Sequence, residues 1–313
     1  MKYFPNEINK YFESGRVDDL VYMAESRHIL QFEQLCRLID FSCLRTIGNH
    51  TTAAVLVTGP SSSGKTTFSK RLSNEMEEKG YQCTVISIDD YYLSRDEVNR
   101  RQNNPEKADY EILEAFDVDY FQTQMQAFLD GDSIHLPRYD FKLGHRVDSG
   151  RILRPTKKDL LIIEGIHAMN PKLTMGLDFA RTIGVYICPF DSYQIPDKGE
   201  ITSKEIRLMR RALRDYVHRA SPISKTLEMW PSVREGEERY IKPMKKYADF
   251  FFNSSFEYEI CILKTRIEKA AESLNSEELE ELKKFLPLDL LKEFHSCAHI
   301  DIPENSIFNE FYK

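Results

Sequence analysis

The octet Gly59-Pro60-Ser61-Ser62-Ser63-Gly64-Lys65-Thr66 stands directly after a short apolar run, AAVLVTG (Ala53 to Gly59), and opens KTTFSKRLSNEMEEKG, a helical stretch closed by Gly80. A strand, a tight turn of small residues and a helix must therefore follow one another here. The spacing satisfies G-x-x-x-x-G-K-[ST], and each position has a physical reason. Small side chains let backbone N–H groups curl around phosphate oxygens at the positive end of the helix, Lys65 bridges the outer phosphates, and Thr66 offers a hydroxyl to magnesium. The phosphate-binding set is Gly59, Pro60, Ser61, Ser62, Ser63, Gly64, Lys65, Thr66 and Thr67. A chance Gly/Ser turn is the bland alternative, and the flanking strand and helix argue against it.

Further short apolar runs fit the same plan. QCTVISI (Gln82 to Ile88) reads as a strand ending at Asp89-Asp90, DLLIIE (Asp159 to Glu164) and TIGVYI (Thr182 to Ile187) as two more, and FFF (Phe250 to Phe252) as a fifth. Nearly continuous apolar strands separated by helices predict an α/β fold of the P-loop NTPase type, a parallel sheet sandwiched by helices. Between the second and third strands lie a helix over Val118 to Leu129 and then HLPRYDF and RVDSGRIL, an inserted β-hairpin with turns near Gly144 and Ser149-Gly150, expected to overhang the sheet edge. Residues 16–47 carry Leu20, Met23, Leu30, Leu35, Leu38 and Ile39 at helical spacing and stop at Gly48-Asn49. From Ser255 onward the chain reads as helical and acid-rich, with SEELEELKKFL starting at Ser276. The expected organisation is a helical N-terminal extension (1–50), a phosphate-loop domain (51–254, lid around 200–225) and a helical C-terminal extension packed on it (255–313).

A formal net charge of -7, from 43 Lys+Arg against 50 Asp+Glu, argues against a chain-wide basic footprint for nucleic acid or anionic lipid and leaves room for a local cationic cleft, so a polyanion partner must be small. No stretch approaches the ~20 apolar residues of a membrane span. The start, MKYFPNEINKYFESG, has no apolar signal core, and Cys36, Cys43, Cys83, Cys188, Cys261 and Cys297 include no CxxC pair, so a cytoplasmic protein with reduced thiols is expected.

A phosphate loop does not by itself separate a kinase from an ATPase, a GTPase or a switch. Asp89, at a strand end on the carboxyl edge that carries the loop, is placed to accept or orient a proton from an acceptor hydroxyl, unless Asp89-Asp90 only caps the next segment. Glu164 ends its strand in the manner of an acid that holds magnesium and its waters, with a solvent-facing strand-end acid as the alternative. In SKEIRLMRRALRDYVHRA, at about 100° per residue, Ile206, Met209, Leu213, Tyr216 and Val217 gather on one face. Arg207, Arg211, Arg214 and His218 gather on another, with Arg210 between. A guanidinium stripe with a packed back face suits a phosphoryl-transfer lid, although such runs are more commonly a solvated face. His135, His145 and His167 match no metal-ligand spacing, and Trp230 could stack on a base or anchor packing.

GPSSSGKTTFSKRL, SIDDYY, DYEILEAFD, LPRYDFKLGHR, LLIIEGIH, RLMRRALRDYVHR and IKPMKKYAD occur in the order seen in the uridine kinase and phosphoribulokinase family of P-loop kinases, which the chain resembles over about Ala53 to Phe252. WPSVREGEERYI and IPENSIFNEF resemble a subgroup of longer bacterial proteins in which a part similar to threonyl-tRNA synthetase precedes the kinase, residues 1–50 being its remnant. The resemblance implies transfer of the γ-phosphate of ATP, with Mg2+, to a small-molecule hydroxyl, first of all the 5′-hydroxyl of a nucleoside. Asp89 is then the base, Tyr92 lies in the acceptor pocket, Glu111 replaces an aspartate that holds the ribose hydroxyls, and Tyr139 falls on an aromatic that contacts the base. Arg207 and Arg210 match arginines that bridge acceptor and phosphates, and Arg211 and Arg214 add charge. The base-reading histidine aligns with Gly144, one place from His145, and a late glutamine is replaced near Lys225. Acceptor identity is therefore open: a phosphorylated sugar held by Arg138 or Arg146 is the near alternative, and a non-catalytic nucleotide-binding module the distant one. The resemblance also implies a homo-oligomer, whose contacts helical ends would be able to change.

Overall fold

The computed structural model describes residues 1–43, 52–102, 108–219, 221–272 and 274–312. Seven strands matter for the site: β1 (Ala53–Thr58), β2 (Gln82–Ser87), β3 (Ile134–Asp140), β4 (His145–Leu153), β5 (Asp159–Glu164), β6 (Arg181–Cys188) and β7 (Phe250–Asn253). β7, β6, β1, β5 and β2 form, in that order, a five-stranded sheet whose neighbours all pair in parallel. Its order puts β1 in the centre, with Val57 opposite Glu164 on one side and Val185 on the other.

Every residue of β1 and β5 is buried, which is why these strands read as unbroken apolar runs. Alternate side chains feed two separate cores. Val55, Val57, Ile162 and Val185 face one, packed with Phe68, Leu72 and Met76 of helix α2 (Lys65–Glu77) and with Phe32 and Leu35 of helix α1 (Val17–Cys43). Ala54, Leu56, Leu161 and Ile163 face the other, against Phe121, Met125 and Phe128 of helix α3 (Val118–Leu129). The expected sandwich and parallel sheet are present.

Several local expectations are corrected. β2 stops at Ser87, and a 3-10 turn, Ile88–Tyr91, carries the two aspartates. In the hairpin Gly144 makes the turn with φ +75°, but Gly150 sits inside β4, where the register shifts opposite Leu136/Pro137, so it marks a bulge and not a turn. The hairpin does lie over the edge strand, with Arg151 Nη2 donating to Val85 O at 3.4 Å. In α1 the buried stripe runs through Leu20, Ala24, His28, Phe32, Leu35 and Ile39, while Met23 and Leu30 face solvent. The predicted stop at Gly48-Asn49 lies outside the described residues. The capping box of the helix Ser276–Phe285 is made by Asn275 and Glu278, one residue ahead of the expected cap.

Phe32, Phe68 and Phe252 bring α1, α2 and β7 together, with ring centroids 4.8 to 5.1 Å apart. Phe68→Ala is expected to cost about 3–5 kcal/mol, because it empties a fully buried site between elements that cannot collapse independently. Denaturant unfolding would check this, and a loss below about 1 kcal/mol would show that the cluster is not a joint.

Candidate active site

The loop leaves β1 at Gly59, where an added Cβ would stand 2.1 Å from Ile187 O. No side chain fits between the turn and β6, so the first glycine of the spacing is required by close approach. Gly64, with φ +95°, then opens α2. Within the curl the hydroxyls of Ser62 and Ser63 are buried without a hydrogen-bond partner, which leaves polar groups turned inward for an anionic ligand. Lys65 Nζ folds over the turn, donating to Gly59 O at 2.9 Å and Pro60 O at 3.1 Å.

A cavity of about 430 Å³ opens over this loop and is lined by Ser61 to Thr66, Asp89, Tyr92, Glu111, Tyr139, Glu164, Arg211 and Arg214. Residues that the sequence separates by more than 150 positions thus meet at one carboxyl edge. Asp89 and Asp90 are placed differently. Asp89 lines the cavity, whereas Asp90 Oδ1 accepts from Tyr139 N at 3.0 Å and fastens the hairpin. Thr66 Oγ1 donates to Glu164 Oε1 at 3.4 Å. A hydroxyl beside a carboxylate fits magnesium, which needs only one or two protein groups when phosphates and waters complete its shell.

The electrostatics are those of crowded carboxylates. Burial, and then the charge of Asp89, push Glu164 up to about 7 against the pull of Lys65. Burial also pushes Glu111 up to about 7, opposed by Arg211 and Lys65. Lys65 is drawn down by burial, and the carboxylates of Glu164, Asp89 and Glu310 resist that shift.

Helix α4 (Ser203–Arg219) departs most from expectation. Ile206, Met209 and Leu213 are buried, but Tyr216 and Val217 of the supposed packed face are exposed, and the arginines are not a solvated stripe. Arg207 is buried, pairs with Glu237 at 2.7 Å and donates to Ser61 O at 3.3 Å. Arg210 is wholly buried in a two-point grip on Glu259, at 2.7 and 2.9 Å, and does not line the cavity. Of the four arginines at 207, 210, 211 and 214, only Arg211, whose Nη1 donates to Ser61 Oγ at 2.7 Å, and Arg214 reach the cavity wall. Buried guanidiniums need carboxylate partners, and the sequence could not show that Glu237 and Glu259 return to meet them.

Other expected residues fall elsewhere. Arg146 pairs with Asp117 at 2.7 Å and lies over the Tyr120 ring, away from the cavity. Tyr92 lines the cavity with its ring stacked on Phe116, while its hydroxyl donates to Tyr110 O at 3.0 Å. His167 Nε2 bonds the backbone carbonyl of Glu111 at 2.8 Å and so braces that acidic residue. Among the described residues no cluster of three or more His, Cys, Asp or Glu is arranged to hold a metal. Trp230 is buried beneath Arg207, the packing alternative. Sequence analysis missed Arg95, Tyr110, Phe141, Ile166, Met229 and Glu310 on the cavity wall. Tyr110 adjoins Glu111 in DYEILEAFD, which is its signal in the sequence; Glu310, more than 240 residues from the loop, has none.

The fold and the cradle define a P-loop α/β protein. Within that class, residues 54–188 match the family model described as "Phosphoribulokinase / Uridine kinase family". The chain is 28% identical over 199 residues to the uridine kinase of Halobacterium salinarum, covering 63% of this chain and 77% of that protein. It is 29% identical over 194 residues to the uridine kinase of Streptococcus equi subsp. zooepidemicus, covering 62% and 83%. A solved structure from Silicibacter sp. TM1040, described as a candidate fructose transport system kinase, superposes with a TM-score of 0.51 at 17% identity over 71% of this chain and 98% of that one, a likeness of fold. Among the described residues no helix is long and apolar enough to cross a membrane, and the cysteines form no disulfide.

The raised value of Glu164 carries a stability consequence. Its carboxyl holds the proton in the folded state up to about 7 but releases it near 4.5 when unfolded, so stability falls as pH rises between those values. Glu164→Gln should therefore raise the melting temperature by several degrees at pH 8 and by much less at pH 5. Equal shifts at both values would show that Glu164 is not ionising in a buried setting.

Proposed function

We propose that the chain is a member of the phosphoribulokinase and uridine kinase family, transferring the γ-phosphate of ATP to the hydroxyl of a small molecule, with the 5′-hydroxyl of a nucleoside as the favoured acceptor. The observation that carries this reading is that the phosphate loop, Asp89 and Glu111 open on one cavity walled on the acceptor side by Tyr92, Tyr110, Tyr139 and Phe141. A flat, partly polar acceptor suits a wall of rings.

The roles follow from placement. The loop amides and Lys65 hold the donor phosphates, and Thr66 with Glu164 is the pair that would hold Mg2+. When bound, that ion neutralises charge on the phosphate oxygens. Asp89 takes the proton from the attacking hydroxyl, or orients it, and Arg211 and Arg214 supply positive charge beside the transferred group. Arg207 and Arg210 act one step back, the first by bracing Ser61 and the second by holding α4 to Glu259. Glu111 faces the acceptor with His167 behind it, a placement that suits a two-point grip on a diol.

Arg138 and Arg146 do not line the cavity, which weakens the reading in which they hold a phosphorylated sugar. A nucleotide-binding module without an acceptor would need neither Asp89 nor the ring-lined half of the cavity. The likeness of WPSVREGEERYI and IPENSIFNEF to longer synthetase-fused kinases, a cytoplasmic setting and self-association belong to the same proposal. Asp89→Asn should keep Mg-ATP binding within about twofold and lower turnover on a nucleoside by about 10²–10⁴, the usual worth of a positioned base. Product analysis with ATP and a panel of nucleosides and sugar phosphates decides it; near-normal turnover in the variant would remove Asp89 from its role.

A further inference from the structure

The segment 305–312 lies against the phosphate loop, and it does so with a carboxylate. Glu310 Oε2 accepts from the backbone N–H of Thr67 at 3.3 Å and from Thr67 Oγ1 at 3.2 Å, while Oε1 pairs with Arg214 at 3.7 Å. The first-turn amide of the helix that follows a phosphate loop is a donor for phosphate oxygen, and arginine on the cavity wall is a phosphate partner. Glu310 therefore satisfies, from within the chain, the groups that an anionic ligand would use. Its neighbours complete the fit. Ile307 packs on the loop so closely that a Cβ on Gly64 would stand 2.4 Å from Ile307 Cγ2, and the Phe311 ring lies 4.9 Å from the Arg210 guanidinium.

The segment has a fixed part and a part that can be released. Ser306 Oγ donates to the buried Glu25 at 2.6 Å, beside Tyr258, which donates to the same carboxylate, and Phe308 is fully buried against Phe256 and Tyr258. Glu310, by contrast, keeps 15% of its side chain exposed at the cavity mouth and makes contacts that phosphate can replace one for one. The anchor holds the carboxylate at high local concentration without locking it in place.

We propose that segment 305–312 is an autoinhibitory strap, in which Glu310 occupies the amide of Thr67 and the guanidinium of Arg214 in competition with the donor's inner phosphate. The inference rests on the reading of the loop as a donor-phosphate cradle. Entry of the donor turns Glu310 outward and transfers Arg214 from carboxylate to phosphate, while Ser306 and Phe308 stay seated. Apparent donor affinity is then lowered by the fraction of molecules in which the strap is closed.

Calorimetric titration of the full chain with Mg-ATP, and separately with inorganic tripolyphosphate, tests this in wild type, Glu310→Gln and Glu310→Ala. Both variants should bind both ligands about tenfold tighter or more, the worth of one charged hydrogen-bond partner, with thermal unfolding confirming that they remain folded. In wild type, Mg-ATP should increase amide hydrogen exchange in residues 309–312 while protecting 59–67. Equal or weaker binding by the variants, or exchange in 309–312 left unchanged by an Mg-ATP that does bind, overturns the strap and leaves the kinase reading standing. Tighter tripolyphosphate binding by the variants with no ATP binding by any protein supports the strap and removes ATP as the donor. If neither ligand binds any of the three proteins, both readings fall.

Discussion

Two buried ion pairs carry the geometry of the site. Arg207–Glu237 and Arg210–Glu259 fix α4 to two stretches of chain that follow it, and Arg207 and Arg211 then reach from α4 to Ser61 in the loop. Taking four charges out of water is expensive, and removing one member of such a pair costs about 3–5 kcal/mol because its partner is left stranded. The pairs therefore work as a register device. α4 can pack in only one rotation, and that rotation delivers Arg211 and Arg214 to the cavity while withholding Arg207 and Arg210 from it.

The cavity itself concentrates charge of both signs. Asp89, Glu111, Glu164 and Glu310 line the same partly closed space as Lys65, Arg211 and Arg214, and the buried carboxyls of Glu164 and Glu111 are pushed up by burial and by Asp89 against the pull of Lys65. Such crowding opposes folding, as the inward-turned hydroxyls of Ser62 and Ser63 also do. Strain of this kind is usual where a ligand is to be received, since the ligand supplies the missing partners. The strap satisfies part of that need from within, which is consistent with a loop that is costly to leave bare.

The parts that were legible in the sequence depend on local chemistry. The turn 59–64 could be read because its glycines answer to a backbone path, and the strands because both faces of the sheet are covered and so need apolar residues at every position. Asp89 and Glu164 were legible as site acids because strand ends in a parallel sheet share an edge. The arginines of α4 were misjudged for the reason that a basic helical face looks the same whether it meets water, phosphate or buried carboxylate. Met23 and Leu30 were misplaced because apolar character does not say which face the rest of the protein covers.

The sequence by itself determined the phosphate cradle, the parallel sheet that presents it and the acids at its edge, because those depend on residue type at short spacing. Only the tertiary structure decided which arginines brace the loop and which face the cavity, that His167 supports Glu111, and that Glu310 sits on Thr67. These pairings join residues 56 to 243 positions apart, and whether a charge is buried and partnered is a property of the space around it, which no local pattern of side chains encodes.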